Sequence, residues 1–599
     1  MSNTLLSLKK FLRENNVKYF FLPSTDEFLN EFVSENKNRL KKITGFSGSN
    51  GFLVLDVADK KSAFFTDGRY VLQAKEELDE KLYKIFNISD KKPFEWILEN
   101  ANFENVVGFD SRLFSQKSLE LYSKFLNKKN IKLVPINSNE FDLVLGIQNT
   151  CNMNLIEEHA IGFAGKDSME KRKELTSIMR MHDINSVFLT NPEDVCWLFN
   201  IRGNEAENIP LVLAYAIVFE DQKAELFVDN VNRIQKQVDA WLWNVQIFDF
   251  NDLEKRLDKL EEKKVGLNLD KVNNFVCENL KKKTKKIKDI GESCSEIRSV
   301  KNSIEIQGSE KAHILDGLAV TKFLYWLDNS NQKELCELTC AEKLLEFRKQ
   351  NKEFVCSSFS TISAFAENGA VIHYEVNQKT NKNFNKQSLY LVDSGGQYKF
   401  GTTDITRTIS VCGKPSKKQK EIYTRVLQGH IDLASHIFSV NKTADKLDQI
   451  ARKPLQEIGL DYDHGTGHGV GSFLSVHEGP CRISAKAKDV KLKPGQILSI
   501  EPGCYLENEF GVRIENLYVV ERCDNFDDEL FDEVVVEEKD KKLCFRPLTV
   551  VPIDLELVDF DTLDKKQVKW LKDYNEFVFE KTESGLGESE VKWFRIKFL

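Results

Sequence analysis

The segment Asp463-His-Gly-Thr-Gly-His-Gly-Val-Gly-Ser472 constrains this chain more than any other. His464 and His468 stand four residues apart, a spacing that would align them on one face of a helix. Glycines at 465, 467, 469 and 471 argue strongly against a helix, because each costs about 1 kcal/mol in a helix interior. A glycine-permitted backbone is read instead, able to bring imidazoles close to a ligand. His477 follows in Val476-His-Glu-Gly-Pro480. Nine histidines occur in 599 residues, and six of them lie between His373 and His477. His430 and His436 fall in a helix-like stretch and read as structural. His373, His464, His468 and His477 stand beside glycines, carboxylates or strand ends, and mark the first candidate site.

Carboxylates gather in the same region. The apolar run Leu389-Tyr-Leu-Val-Asp393 ends before a glycine turn, and Gly401-Thr-Thr-Asp-Ile-Thr-Arg-Thr-Ile409 carries Asp404 eleven residues later. A hairpin with its loop near 395–401 puts both carboxylates on one face. Glu501 closes a buried strand in Lys493–Gly503. In Gly511–Val520, strand alternation sets Arg513 and Glu515 on one face and Val512 and Ile514 on the other. An exposed Arg/Glu pair is the plain alternative for that strand. Four carboxylates and one imidazole, namely Asp393, Asp404, His468, Glu501 and Glu515, repel one another unless protons or cations intervene. Two divalent cations would neutralise the set. Oxygen-rich donors with one nitrogen and no thiolate suit Mn²⁺, with Zn²⁺, Co²⁺ and Fe²⁺ as alternatives. Paired ions roughly 3.5 Å apart can hold a bridging hydroxide and polarise a carbonyl.

Composition is ordinary for a globular chain, with 41% hydrophobic and 30% charged residues. The length suggests about four domains, or three larger ones. The net charge of −8 argues against a nucleic-acid partner, which would call for a basic surface. No secretory leader is read in Met1–Asn16, where Lys9, Lys10 and Arg13 interrupt the leucines. The longest apolar run, Leu211–Phe219, is too short to span a bilayer. Twelve irregularly placed cysteines read as the reduced thiols of a cytosolic protein.

No short tandem repeat is visible. The first third reads as α/β, with strands Phe52–Asp56 and Ser62–Thr66 and helical character over Lys75–Leu82. The pattern weakens near 145–155, which places a first boundary at about 150. A second α/β unit follows, with a helix at Lys171–Arg180 and strands at Ser186–Leu189, Pro210–Phe219 and Ala224–Val228. It ends near the lysine cluster Lys281–Lys288, a solvated helix face or linker. Leu315, Leu318, Ala319, Phe323, Trp326 and Leu327 form a helical stripe expected to pack on a sheet. Asp524–Asp540 reads as an acidic surface loop.

The order of several strings resembles the pita-bread metallopeptidase family, which holds methionine aminopeptidase, Xaa-Pro dipeptidase (prolidase) and the Xaa-Pro aminopeptidases. They are Gly45–Gly51, Thr66–Tyr70, Trp197–Gly203, Ile372–Tyr374, His464–Gly471, His477–Pro480, Glu501–Gly503, Arg513–Asn516 and Pro547–Ile553. Within the family the likeness is to the large three-domain cytosolic Xaa-Pro aminopeptidases and covers nearly the whole chain. It implies an α/β (α+β) architecture of two creatinase-N-like α/β domains, 1–150 and 151–303. A pita-bread catalytic domain follows at 304–599, with a C-terminal extension from about 541.

The resemblance also implies roles. Asp393 would chelate one metal ion, His468 and Glu501 the other, and Asp404 and Glu515 both. His373 and His477 would stabilise the scissile carbonyl oxygen, and His464 would shape the proline subsite. Glu501 would handle the proton of the attacking water, while Arg513 and Tyr505 order the wall. Glu375-Val376 departs from the small or proline residues expected after His373-Tyr374, which bears on substrate preference. The implied activity is hydrolysis of an N-terminal Xaa-Pro bond by a hydroxide held between two divalent ions, in a cytoplasmic homodimer without nucleic-acid or membrane partners. A prolidase restricted to dipeptides, or a non-enzymatic binding module of the same fold, is the alternative; methionine aminopeptidase needs only about half this length.

Overall fold

The computed structural model describes residues 3–58, 61–148, 153–234, 241–261, 263–523 and 542–599. The expected acidic loop at Asp524–Asp540 lies outside the described residues. The chain divides into two compact units, Met1–Ile161 with Lys166–Cys294, and Gly162–Gly165 with Ser295–Leu599.

The first unit holds two six-stranded sheets. One runs in the order Tyr83–Asn87, Ser62–Thr66, Phe52–Asp56, Tyr19–Pro23, Val106–Phe109, Lys132–Pro135. The other runs Val245–Asp249, Ala224–Val228, Ala214–Phe219, Ser186–Leu189, Lys264–Leu267, Lys286–Asp289. Successive pairs are parallel, antiparallel, antiparallel, parallel and parallel in both. The unit is thus an internal repeat of topology that no residue-level repeat betrays. Its central strands are buried along their whole length, which is why they read as unbroken apolar runs. The two sheets belong to one unit partly because Tyr215 Oη and Asn273 Nδ2 both donate to the Glu27 carbonyl.

Two local expectations need correction, and the alternative left open for the lysine cluster is decided in favour of a helix face. The helix near residue 75 is Val71–Glu77 and stops at an extended Leu78. The strand expected from Pro210 begins at Ala214. The lysine cluster is not a linker. It is the C-terminal end of the helix Asn274–Lys283, where cations meet the negative helix end, followed by the edge strand Lys286–Asp289. Lysines along an edge strand discourage pairing with other chains.

The second unit opens on the helix Ser303–Asn329. Asn302 caps it by accepting from the Ile304 and Glu305 amides, and Glu305 returns a bond to the Asn302 amide. Of the predicted stripe, Phe323 and Leu327 pack against Tyr390, Val392, Ile405 and Ile409, with Trp326 at the margin. Val320 and Leu324, which the stripe does not include, join them, while Leu315 belongs to a separate cluster with Tyr398 and Phe400. Burial of each such side chain is worth roughly 1.5–3 kcal/mol. Asp316 on this helix accepts two bonds from Arg348 on the helix Glu337–Lys349, at 2.8 and 2.9 Å, and a third from Tyr398 Oη at 2.9 Å. The functional region rests on three β elements. They are the sheet Ile362–Phe365, Ser388–Ser394, Ile405–Val411, the hairpin Gly503–Leu506 with Phe510–Arg513, and a six-stranded sheet. The last contains Gly467–Gly469, Ile497–Ile500 and Asn516–Arg522.

Candidate metal centre

Antiparallel pairing sets Asp393 opposite Thr406, and Asp404 lies two residues before Thr406. Residues two apart on a strand share a face, so both carboxylates converge. The loop expected between them contains a smaller hairpin, Gly396–Tyr398 with Gly401–Thr402. The single strand read over Gly511–Val520 is in fact broken. Phe510–Arg513 belongs to the two-stranded hairpin and Asn516–Arg522 to the large sheet, with Ile514 and Glu515 at the junction. The Glu515 amide bonds the Thr406 carbonyl there, which turns the side chain toward Asp404. Arg513 and Glu515 are buried rather than an exposed pair.

Glycines 467 and 469 serve packing more than ligand approach. A Cβ on Gly467 would lie 1.9 Å from the Ser499 carbonyl oxygen, and one on Gly469 would lie 2.3 Å from that of Glu478. Their absence lets the strand carrying His468 nest between its neighbours.

His468 donates through Nδ1 to the Gly469 carbonyl at 2.9 Å. In the neutral ring this leaves the lone pair on Nε2. That atom lies 3.5 Å from Asp404 Oδ2 and 3.5 Å from Glu501 Oε1, too far for good hydrogen bonds. One donor atom from each of Asp404, His468 and Glu515 falls within 4.8 Å of the others. Asp393 Oδ1 and Asp404 Oδ1 are buried without a hydrogen-bond partner. Lone pairs therefore converge where hydrogen-bond donors are scarce, the condition that a cation relieves and that this donor set fits.

The electrostatics agree. Burial drives the carboxyls of Asp404 and Glu515 well above their usual range, and neighbouring carboxylates add to the rise. Burial also pushes Glu501 up to about 7, with Arg513 opposing and Asp393 adding. Arg513 Nη2 donates to Asp393 Oδ2 at 2.5 Å. It thereby supplies one compensating charge that the sequence reading assigned wholly to cations.

His477 and His464 stand in the same region, and the chain next to His373 reaches it. The rings of His468 and His477 meet edge to face, 4.5 Å between centroids. His464 donates through Nδ1 to the Gly465 carbonyl, so its Nε2 accepts from Tyr505 Oη at 2.9 Å. Tyr505 Oη in turn accepts from Arg513 Nη1 at 2.8 Å. His373 directly follows Ile372, whose carbonyl faces Arg513 Nη1 at 3.4 Å. His430, set aside as structural, is fully buried between the Ile514 carbonyl and Tyr518 Oη, and burial lowers its pKa to about 3.

Sequence reasoning missed Thr406 and Ser499. Thr406 Oγ1 donates to Glu515 Oε2 at 2.8 Å and accepts from Arg513 Nε at 3.0 Å. Ser499 Oγ accepts from the His468 amide at 3.0 Å and reaches Glu501 Oε1 at 3.3 Å. Each sits two positions from a carboxylate on the same face, Asp404 and Glu501, and alternation alone could have flagged them.

Comparison with known proteins agrees with this geometry. Residues 307–522 match the model for metallopeptidase family M24, and 541–597 the C-terminal region of that peptidase. Residues 5–142 and 149–305 each match a creatinase/prolidase N-terminal domain. Xaa-Pro aminopeptidase 1 of Dictyostelium discoideum is 32% identical over 620 residues, covering 99% of this chain and 96% of the relative. A probable Xaa-Pro aminopeptidase P of Pyricularia oryzae is 34% identical over 607 residues, covering 97% and 96%. A solved X-prolyl aminopeptidase from Caenorhabditis elegans, described as a cytosolic enzyme with a di-nuclear active site, superposes with a TM-score of 0.91. Its identity is 28%, over 100% of this chain and 99% of that one. The chain belongs to metallopeptidase family M24, among the Xaa-Pro aminopeptidases. Among the described residues, no helix is long and apolar enough to cross a membrane.

Proposed function

We propose that this chain is a metal-dependent aminopeptidase that hydrolyses the bond between an N-terminal residue and a following proline. The observation that carries the reading is the convergence of the His468 lone pair with oxygens of Asp404 and Glu501, together with the buried Oδ1 atoms of Asp393 and Asp404 that have no hydrogen-bond partner. Asp393 would hold one divalent ion, His468 and Glu501 a second, and Asp404 and Glu515 both; Mn²⁺ suits the donors, with Zn²⁺ or Co²⁺ as alternatives. Paired ions, when bound, polarise the scissile carbonyl and make water acidic enough to attack at neutral pH.

The protein's own groups complete the reaction. Glu501 takes the proton of the attacking water and returns it to the departing proline nitrogen. His373 and His477 donate to the carbonyl oxygen as charge develops on it. His464, Tyr505 and Arg513 hold the wall against which the proline ring lies. An Xaa-Pro bond has no N–H, so recognition through that donor is closed to ordinary peptidases, and ring shape serves instead. The division at about 150 and 303, a homodimer and a cytoplasmic location belong to the same proposal, supported by the family resemblance and by the cytosolic description of the structural relative.

Peptides varied at the second position, assayed with added Mn²⁺ and with chelator, test the reading. Arg-Pro-Pro should be cleaved after arginine only with metal. Cleavage of Gly-Pro but not Arg-Pro-Pro would make the chain a prolidase. Turnover in thoroughly metal-stripped protein would overturn the mechanism.

A further inference from the structure

We propose that Glu337 is a positioning residue that holds the His373 segment in its working place. The inference deepens the role given to His373 above and rests on it. Glu337 begins the helix Glu337–Lys349, and its side chain is fully buried. Its Oε1 accepts from the Phe365 amide at 2.6 Å and from Asn368 Nδ2 at 2.9 Å. Its Oε2 accepts from the Lys382 amide at 2.8 Å and from Tyr374 Oη at 3.0 Å. The donors flank His373 in sequence, two before it and two after it. The main chain of Glu337 adds to the grip. Its amide donates to the Lys382 carbonyl at 3.1 Å, and its carbonyl accepts from Ser363 Oγ at 2.7 Å.

A buried carboxylate is costly unless its lone pairs are bonded. Here every bond it makes to neutral donors closes the stretch from Phe365 to Lys382 around His373. Tyr374, next to the histidine, also reaches Thr380 Oγ1 at 3.0 Å and shares Asn368 Nδ2 at 2.9 Å. Ala366 has φ of +54°, a left-handed conformation that a non-glycine residue keeps only when its surroundings impose it. On the far side, Gly369 abuts Gly511 so closely that a Cβ on Gly511 would lie 1.7 Å from the Gly369 carbonyl oxygen. The segment is clamped between Glu337 and the hairpin that carries Arg513.

A misplacement of about 1 Å in a catalytic group can cost about 10²-fold in rate. A double-mutant cycle on full-length, Mn²⁺-loaded protein with Arg-Pro-Pro tests the role through kcat, KM, metal per chain and Tm. Glu337→Gln puts an N–H against amide donors and should lower kcat by about 10²-fold, with KM and metal content little changed. In a His373→Ala background the same substitution should change kcat less than twofold. Tyr374→Phe, which removes one donor and is milder for folding, should give a smaller loss with the same dependence on His373. Equal fold-losses in both backgrounds, or wild-type kcat in Glu337→Gln and Tyr374→Phe, would overturn the inference. Wild-type kcat in His373→Ala alone would remove the role of His373 and the inference with it.

Discussion

Arg513 binds Asp393 through one carboxylate oxygen and leaves the other buried without a donor. Nη2 meets Oδ2 at 2.5 Å, while Oδ1 is buried with no partner. The guanidinium thus aims the carboxylate and lowers the charge around it, and it does so while also contacting Thr406 and Tyr505.

Arg513→Lys should therefore weaken metal binding. An ammonium cannot reach Asp393, Thr406 and Tyr505 from one planar group. Partners that orient metal ligands are worth about 10- to 100-fold in affinity or activity. A metal titration followed by activity should show a shift of that order; an unchanged titration would refute the aiming role.

Metal-free protein should lose stability as pH rises. Glu501 is raised to about 7, and Asp404 and Glu515 well above the usual carboxylate range, so the folded chain holds more protons than the unfolded chain above about pH 4.5. Stability falls with pH wherever the native state binds more protons. Thermal melts of chelated protein should therefore show Tm decreasing from pH 5 to pH 8, and saturating Mn²⁺ should remove most of that decrease. A chelated Tm that rises over this window would contradict the carboxylate crowding.

Glu501→Gln keeps the shape of the side chain and removes both its charge and its proton traffic. General acid–base groups contribute about 10²- to 10⁴-fold, so kcat should fall by at least about 10²-fold, and excess Mn²⁺ should not restore it. Near-normal steady-state turnover of Arg-Pro-Pro would rule out the assigned role.

Gly467→Ala should damage the metal centre from behind. The new methyl would press on the Ser499 carbonyl 1.9 Å away, and Ser499 Oγ holds the His468 amide. Overpacking costs about 1–3 kcal/mol, and His468 would shift with the strand. Gly465→Ala is the control, since its added methyl would come no nearer than 3.3 Å to the Ile483 carbonyl oxygen. Calorimetry and metal content should separate the two variants; equal behaviour would deny the packing role of Gly467.

The candidate site was largely legible because its donors are rare residue types set in short apolar or glycine-rich strings. Asp393, Asp404, Glu501 and Glu515 stand at strand ends, where a charge is conspicuous. What supports them was less visible. Thr406, Ser499 and Glu337 are common residues whose meaning comes from partners up to 109 positions away, as Thr406 and Glu515 are. The repeated strand order of the first unit was hidden because hydrophobic patterning, not residue identity, specifies each copy. The break at Ile514–Glu515 was hidden because alternation runs on through a junction between two sheets.

The pairing of Asp393 with Thr406 has a consequence for assembly of the chain. A slip of one residue in that ladder would swing Asp393 to the opposite face while Asp404 stayed where it is. The observed alignment is therefore what keeps Asp393 and Asp404 on one face, and a one-residue error in threading this hairpin would part them.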